Sequence, residues 1–223
     1  MEEGHEPGSA EWWAAHAERL ERRRPRAGGL TVERVVDEAL ELVDEAGLGA
    51  LTVRRLAARL ETSSATLYRH VASVDELSVL VVDRVLGEVE IPDVGDPARD
   101  RVVALAGELR RVLRRHPNVV PALPAAPLLG PNAMAGASAG LEALLDTGLA
   151  AVVAVPGYLA MIDFVLGSVF FDTGGSAERH AERVGEDAFQ DTPELDRVHR
   201  NDVFDLAIDA FLDGLEAQAG AGR

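Results

Sequence analysis

Along most of this chain apolar residues recur at the three-to-four-residue spacing of a helix, and nowhere do they alternate as in a half-buried strand. The first clear stripe is Val32, Val35, Val36, Ala39, Leu40 and Val43, on one helical face between the N-cap candidate Thr31 and the stop Gly47. A second, short helix starts at Thr52 and turns Val53, Leu56, Ala57 and Leu60 inward. The polar turn Glu61-Thr62-Ser63-Ser64 leads into a third helix, Ser63 to Val71, anchored by Leu67 and Val71. Ser73-Val74-Asp75-Glu76 then reads as a capping box for a fourth helix with the stripe Leu77, Leu80, Val81, Val85 and Val89.

The remainder is helical too. Asp96-Pro97 opens a helix to about Arg115, and the Pro-rich residues 117–131 leave room for one short helix. Pro131 to Thr147 forms the next, closed by Gly148. Residues 150–172 form a long apolar helix with a kink expected at Pro156-Gly157. A mobile loop is expected over 173–192, and the last helical region opens at Thr192-Pro193 and ends with Val203 to Ala217. At the other end, residues 1–28 are expected as a flexible extension, in which 11–24 could form a short helix. The fold class is therefore all-α. It divides into that extension, a three-helix head with a helix-turn-helix over 29–73, and a helical domain over 74–223.

Composition narrows the chemistry. The chain is 47% hydrophobic but only 4% aromatic, so its core is built mainly from Ala, Leu and Val. It lacks cysteine, which excludes disulfides, thiolate metal sites and Cys nucleophiles. The opening MEEGHEPGSA has neither the basic start nor the apolar core of a secretory signal. The longest apolar stretch, Leu149 to Pro156, is too short to span a bilayer, so a cytoplasmic protein without a membrane is expected. The six histidines show no i, i+4 pair, and no GxSxG, Walker or dinucleotide-binding glycine pattern is present. Neither an enzyme, a metal nor a cofactor is expected.

The net charge of −16 argues at first against nucleic acid. Its distribution reverses that argument. Between Ala50 and Ala72 stand four arginines (Arg54, Arg55, Arg59, Arg69) against one acid, Glu61, and the run Arg22–Arg26, broken only by Pro25, lies upstream. An acidic body keeps DNA off the wrong face of such a molecule. Three short helices, the last two joined by a tight turn, form a helix-turn-helix whose third helix enters the major groove. Ser63, Ser64, Ala65 and Thr66 supply small hydroxyls and methyls for phosphate and base edges, with Thr52 at the start of the second helix. Tyr68 and His70 can reach the backbone, and Arg54 can reach guanine bidentately. Two short helices with a hydroxyl-rich turn also occur in helical bundles that never meet DNA. The arginine run is open between an arm along the DNA and a solvated tail, as Trp12 and Trp13 are between packing and exposure.

The segment GLTVERVVDEALELVDEAGLGALTVRRLAARLETSSATLYRHVASVDELSVLVVD resembles the N-terminal domain of the tetracycline-repressor (TetR) family. LTVRRLAARL, SATLYRHV and the S-x-x-E-L helix start carry the likeness. It implies a homodimer on double-stranded, near-palindromic operator DNA, with Arg54, Ser64, Ala65, Thr66, Tyr68 and His70 at DNA-contacting positions. GLAAVVAVPGYLAMIDFVLGSVFFD and VFDLAIDAFLDGLEAQ resemble the two helices of the family's dimer bundle. That likeness places Phe164, Gly167, Ser168, Phe171, Phe204, Ile208, Phe211 and Leu212 at the dimer interface, with burial inside one protomer as the alternative. Where the family holds a metal–drug chelate with an acid and a His, this chain has Phe171 and the Ala125-Ala126 region. Its unknown small-molecule effector is therefore expected in an apolar pocket with Tyr158, Asp163 and Asn132 as polar handles, and His116, Met134 and Met161 nearby. An ordinary interface hydrogen bond is the other reading of Asp163. The expected function is a ligand-responsive repressor; the alternatives are an activator, or a small-molecule-binding protein with a vestigial head.

Overall fold

A computed structural model of the chain describes residues 5–22, 29–173 and 200–221, and every regular element among them is helical. The helices are α1 (Ala10–Arg22), α2 (Val32–Ala46), α3 (Val53–Arg59), α4 (Ser64–Leu67) and α5 (Val74–Leu86), then α6 (Ala98–Arg115), α7 (Pro131–Asp146), α8 (Ala151–Thr173) and α9 (Arg200–Ala221). Short 3-10 helices lie at Leu48–Ala50 and Val120–Ala125. Residues 174–199, which hold nearly all of the expected loop, and Arg23, Arg24 and Arg26 fall outside the described residues. The chain divides into two compact units, Met1–Glu88 with His116–Gly136, and Val89–Arg115 with Ala137–Arg223.

In the first unit the helix starts are set by side-chain caps. Thr31, Thr52, Ser63 and Ser73 each sit in extended backbone and accept a hydrogen bond from the amide three residues on. Val35, Val43, Leu56, Leu67, Val71 and Leu77 then close one core, all nearly inaccessible. The third helix is shorter than its expected span. Only Ser64–Leu67 is regular α-helix; the rest tightens into a turn, with Arg69 N–H donating to Thr66 C=O at 3.2 Å and His70 N–H to Leu67 C=O at 2.7 Å.

Between α3 and α4, Glu61 takes a positive φ of 48°. A side chain in this left-handed region costs about 1–2 kcal/mol, which glycine escapes. Glu61→Gly is therefore expected to raise the denaturation midpoint of the protein, measured by urea titration, although glycine usually weakens a helical segment.

The N-terminal extension differs from the flexible segment expected of it. Trp12 and His16 of α1 are each 5% exposed. Their rings stack at 4.9 Å, and Trp13 meets both edge-on. Arg19 Nη2 donates to Glu76 Oε1 of α5 at 3.2 Å, a partner 57 residues away in sequence. Aromatic burial and this bond offset the ordering cost of α1, and neither is visible from local composition.

The second unit is built on α6, α8 and α9. Val102, Ala106, Met161, Val165, Phe204 and Ile208 form the centre of its core. By length and composition Ala151–Asp172 could cross a membrane, with mean hydropathy 1.9, so its apolar run is longer than the eight-residue stretch read from sequence. Its apolar residues occupy more than one face. Met161, Val165 and Val169 point into the core, while Val152, Val155, Leu159, Phe170 and Phe171 remain exposed. The helix runs unbroken through Pro156. Arg110 and Asp172 form a buried pair at 2.7 Å, and Arg99 fastens α9 through Asp209, Asp213 and Glu216.

The same two-sidedness corrects the dimer face expected on α9. Phe204, Ile208 and Leu212 are at most 4% exposed and belong to the protomer's own core. Val203 and Leu206 carry the exposed apolar side instead. Periodicity identifies the stripes of such a helix but not which one faces inward. Of the other expected interface residues, Phe164, Gly167, Ser168 and Phe211 are half-buried and Phe171 is exposed.

Candidate nucleic-acid interface

The cap bonds at Thr52 and Ser63 fix α3 and α4 on one surface of the first unit. Ser63, Ser64, Ala65, Tyr68 and Arg69 are exposed there, and Thr66 and His70 half-buried. Arg54 and Arg55 are exposed on α3 beside the Thr52 cap, whose hydroxyl is 3.3 Å from the Arg55 amide. Of the eight residues expected to meet DNA, Arg54 lies on α3, Thr52 caps its start, Ser63 to Thr66 cap and open α4, and Tyr68 and His70 lie in the turn that follows it. Leu67 is fully buried between these residues and pins α4 from behind.

Arg59 does not join this surface as a mobile cation. Its guanidinium bridges three carboxylates of α2: Glu38 at 2.6 Å, Glu45 at 2.5 Å and Glu41 at 3.1 Å. The hydrogen bonds it donates to Glu45 and Glu38 hold its pKa above the ordinary arginine value, and the same Arg59 bond holds Glu45 below the ordinary carboxylate value. The signal stands in the sequence, since Glu38, Glu41 and Glu45 share one face of α2. The positive surface near the turn is therefore narrower than the arginine count implies.

The end of the reading segment is held from α5. Glu76 Oε2 accepts from the Ala72 amide at 2.6 Å, directly after Val71, while Glu76 N–H donates to Ser73 Oγ at 3.0 Å. The expected capping box is present, with its return bond one residue earlier than the N-cap. Burial raises the Glu76 pKa, but bonds from His16 and the Ala72 amide, with the Arg19 charge, outweigh it and leave the carboxyl below its ordinary value.

The residues expected to form the effector pocket divide between the two units. His116, Asn132 and Met134 fall in the first, and Tyr158, Met161 and Asp163 in the second. His116 is buried, with Nδ1 2.8 Å from Asp44 and Nε2 3.2 Å from Glu88. Asn132 Nδ2 donates to the Asp83 backbone C=O at 3.0 Å. The Asp83 carboxylate also takes the Ala133 amide at 3.0 Å and so caps α7. Burial pushes the pKa of Asp83 up, against these bonds. Met134 is exposed. Met161 is core, Tyr158 is half-buried with its phenol pKa raised by burial, and Asp163 is exposed, so it is not an acid stranded in an apolar interior. A groove of about 360 Å³ lies between α6 and α9, walled by Arg110, Arg111, Arg114, Asn201 and Phe204. It is more charged than the pocket expected from sequence.

Residues 35–78 match the model of bacterial regulatory proteins of the tetR family, and residues 91–219 match the tetracyclin repressor-like C-terminal domain. The chain belongs to the TetR family. Helix α1 lies before both matched segments. The chain is 36% identical over 157 residues to an HTH-type transcriptional regulator of Saccharopolyspora erythraea, covering 70% of this chain and 65% of that protein. It is 38% identical over 148 residues to the HTH-type transcriptional repressor DrrR1 of Streptomyces coeruleorubidus, covering 61% of this chain and 55% of that one. The chain thus spans somewhat under two thirds of the length of these relatives. Among solved structures it is similar to the TetR family protein ActR of Streptomyces coelicolor in complex with actinorhodin. That likeness has a TM-score of 0.73 and 30% identity, over 86% of this chain and all of that one.

Proposed function

We propose that this TetR-family chain is a ligand-responsive repressor, a cytoplasmic homodimer that holds operator DNA and releases it when a small molecule binds. The carrying observation is the exposed surface of Ser63, Ser64, Ala65 and Tyr68 beside Arg54 and Arg55, in a chain whose net charge is −16. Basic and hydroxyl groups concentrated on two short helices suit phosphate and base edges. The DrrR1 name supports repression, and the ActR complex with actinorhodin supports an organic effector. An effector releases DNA only if it binds the DNA-incompetent form more tightly.

The test is a titration of the protein onto duplex DNA selected from a random pool, repeated across salt. Wild-type affinity is expected to fall steeply with salt. Arg54→Ala is expected to cost about 1–3 kcal/mol and flatten the preference at one base pair. Arg59→Ala, whose guanidinium is held by three carboxylates, leaves that preference unchanged. Salt-insensitive binding, or an Arg54→Ala variant with unaltered affinity and preference, overturns the reading.

A further inference from the structure

Three polar side chains on the exposed side of the reading head form a directed chain. Arg69 Nη2 donates to Thr66 Oγ1 at 3.0 Å, and Thr66 Oγ1 lies 3.0 Å from Ser63 Oγ. The Thr66 backbone N–H donates to the same Ser63 Oγ at 3.1 Å. The donor in the middle contact follows from charge. A guanidinium only donates, so Thr66 Oγ1 accepts from Arg69. A hydroxyl that accepts from a cation becomes a stronger donor and a poorer acceptor. The Thr66 proton therefore points to Ser63 Oγ. That oxygen then accepts twice, from the Thr66 amide and the Thr66 hydroxyl, and both its lone pairs are used. Only the Ser63 proton is left to face outward.

We propose that Arg69 and Thr66 are positioning residues that commit Ser63 to donating a hydrogen bond to an acceptor oxygen or nitrogen on DNA. The proposal rests on the DNA-binding reading above and adds a direction to it. Ser63 can take a phosphate oxygen or a base-edge acceptor, but it cannot accept from the amino group of cytosine or adenine. The Thr66 hydroxyl acts through Ser63 rather than on DNA.

The experiment is a double-mutant cycle in affinity for the selected duplex, read by fluorescence anisotropy, with circular dichroism and the melting midpoint of each variant as folding controls. Ser63→Ala is expected to weaken binding about tenfold, the scale of one hydrogen bond to a charged group. Thr66→Val, which keeps shape but not hydroxyl, is expected to lose part of that affinity, and Thr66→Ser to retain it. In the Ser63→Ala background Thr66→Val should cost nothing more. Additive losses, or a Thr66→Val variant that binds as wild type does, overturn the relay while leaving DNA binding intact. A wild-type protein that binds no duplex overturns the underlying reading instead. A methylphosphonate at the contacted phosphate, and at the contacted base an analogue lacking its major-groove acceptor (N7 or O6 of guanine, N7 of adenine, O4 of thymine), separate the two acceptor sources. Whichever one removes the Ser63 contribution names the acceptor, and failure of both to do so contradicts the proposal.

Discussion

Leu206→Glu is expected to produce a folded monomer that has lost operator binding. Leu206 on α9 is 72% exposed in the protomer, and Phe170 and Leu159 on α8 are 61% and 58% exposed. Such apolar surface on two helices fits a second copy of the chain. In a two-fold interface each residue counts twice. At about 1.5–3 kcal/mol per large apolar side chain, loss of Leu206 from both sides costs about 3–6 kcal/mol of dimer stability. That is two to four orders of magnitude in the dissociation constant. Since Leu206 touches little in its own protomer, helicity should be retained. Ile208→Glu is the control, because Ile208 is 1% exposed in the core and its replacement should unfold the second unit rather than split a dimer. Sedimentation equilibrium separates the outcomes: a Leu206→Glu dimer as tight as wild type would place the interface elsewhere.

The second large effect belongs to α1. Trp12→Ala is expected to undock this helix, since removing a buried tryptophan from a core costs about 3–5 kcal/mol. The loss is local, bounded by the free energy that holds α1 on the first unit. Trp12 and Trp13 are the sequence's two tryptophans, so indole fluorescence reports α1 alone. Emission of the remaining Trp13 should shift red in Trp12→Ala while the melting of the second unit is unchanged. The same probe reads pH. Glu76 has its pKa below the ordinary value, so its stabilising contribution is complete above that ordinary value. It is lost as pH falls through the lowered value. Acidification should therefore redden the emission of the wild type in this range, and Glu76→Gln should remove the step. A Trp12→Ala variant with unshifted emission would mean that α1 is held by other contacts.

Much of this molecule is legible from residue order because its signals are local. The caps Thr31, Thr52, Ser63 and Ser73 lie within three residues of the amides they satisfy. The stripe of α2 and the motif around α3 and α4 place the head from residue order alone. What escaped depends on distant partners. The docking of α1 needs Glu76 from α5, and the engagement of Asn132 needs Asp83. Neither distance can be read from composition. The α9 interface residues failed for another reason. A helix buried on one side and apolar on the other carries two stripes, and only packing against Met161 and Val165 shows that Phe204 and Ile208 are the inner one. The exposure of Asp163 is hidden for a similar reason, because an acid within an apolar run can face solvent.

In the proposed dimer, α3 and α4 of two copies read one stretch of DNA. Selection of bound duplexes from a random pool, followed by hydroxyl-radical footprinting, tests it directly. The expected result is an inverted repeat with half-sites about one helical turn, roughly 34–36 Å, or a multiple of it apart. The Arg54→Ala protein should lose protection in both halves. Enrichment of no sequence, or of a single unrepeated site whose protection Arg54→Ala leaves unchanged, would contradict it.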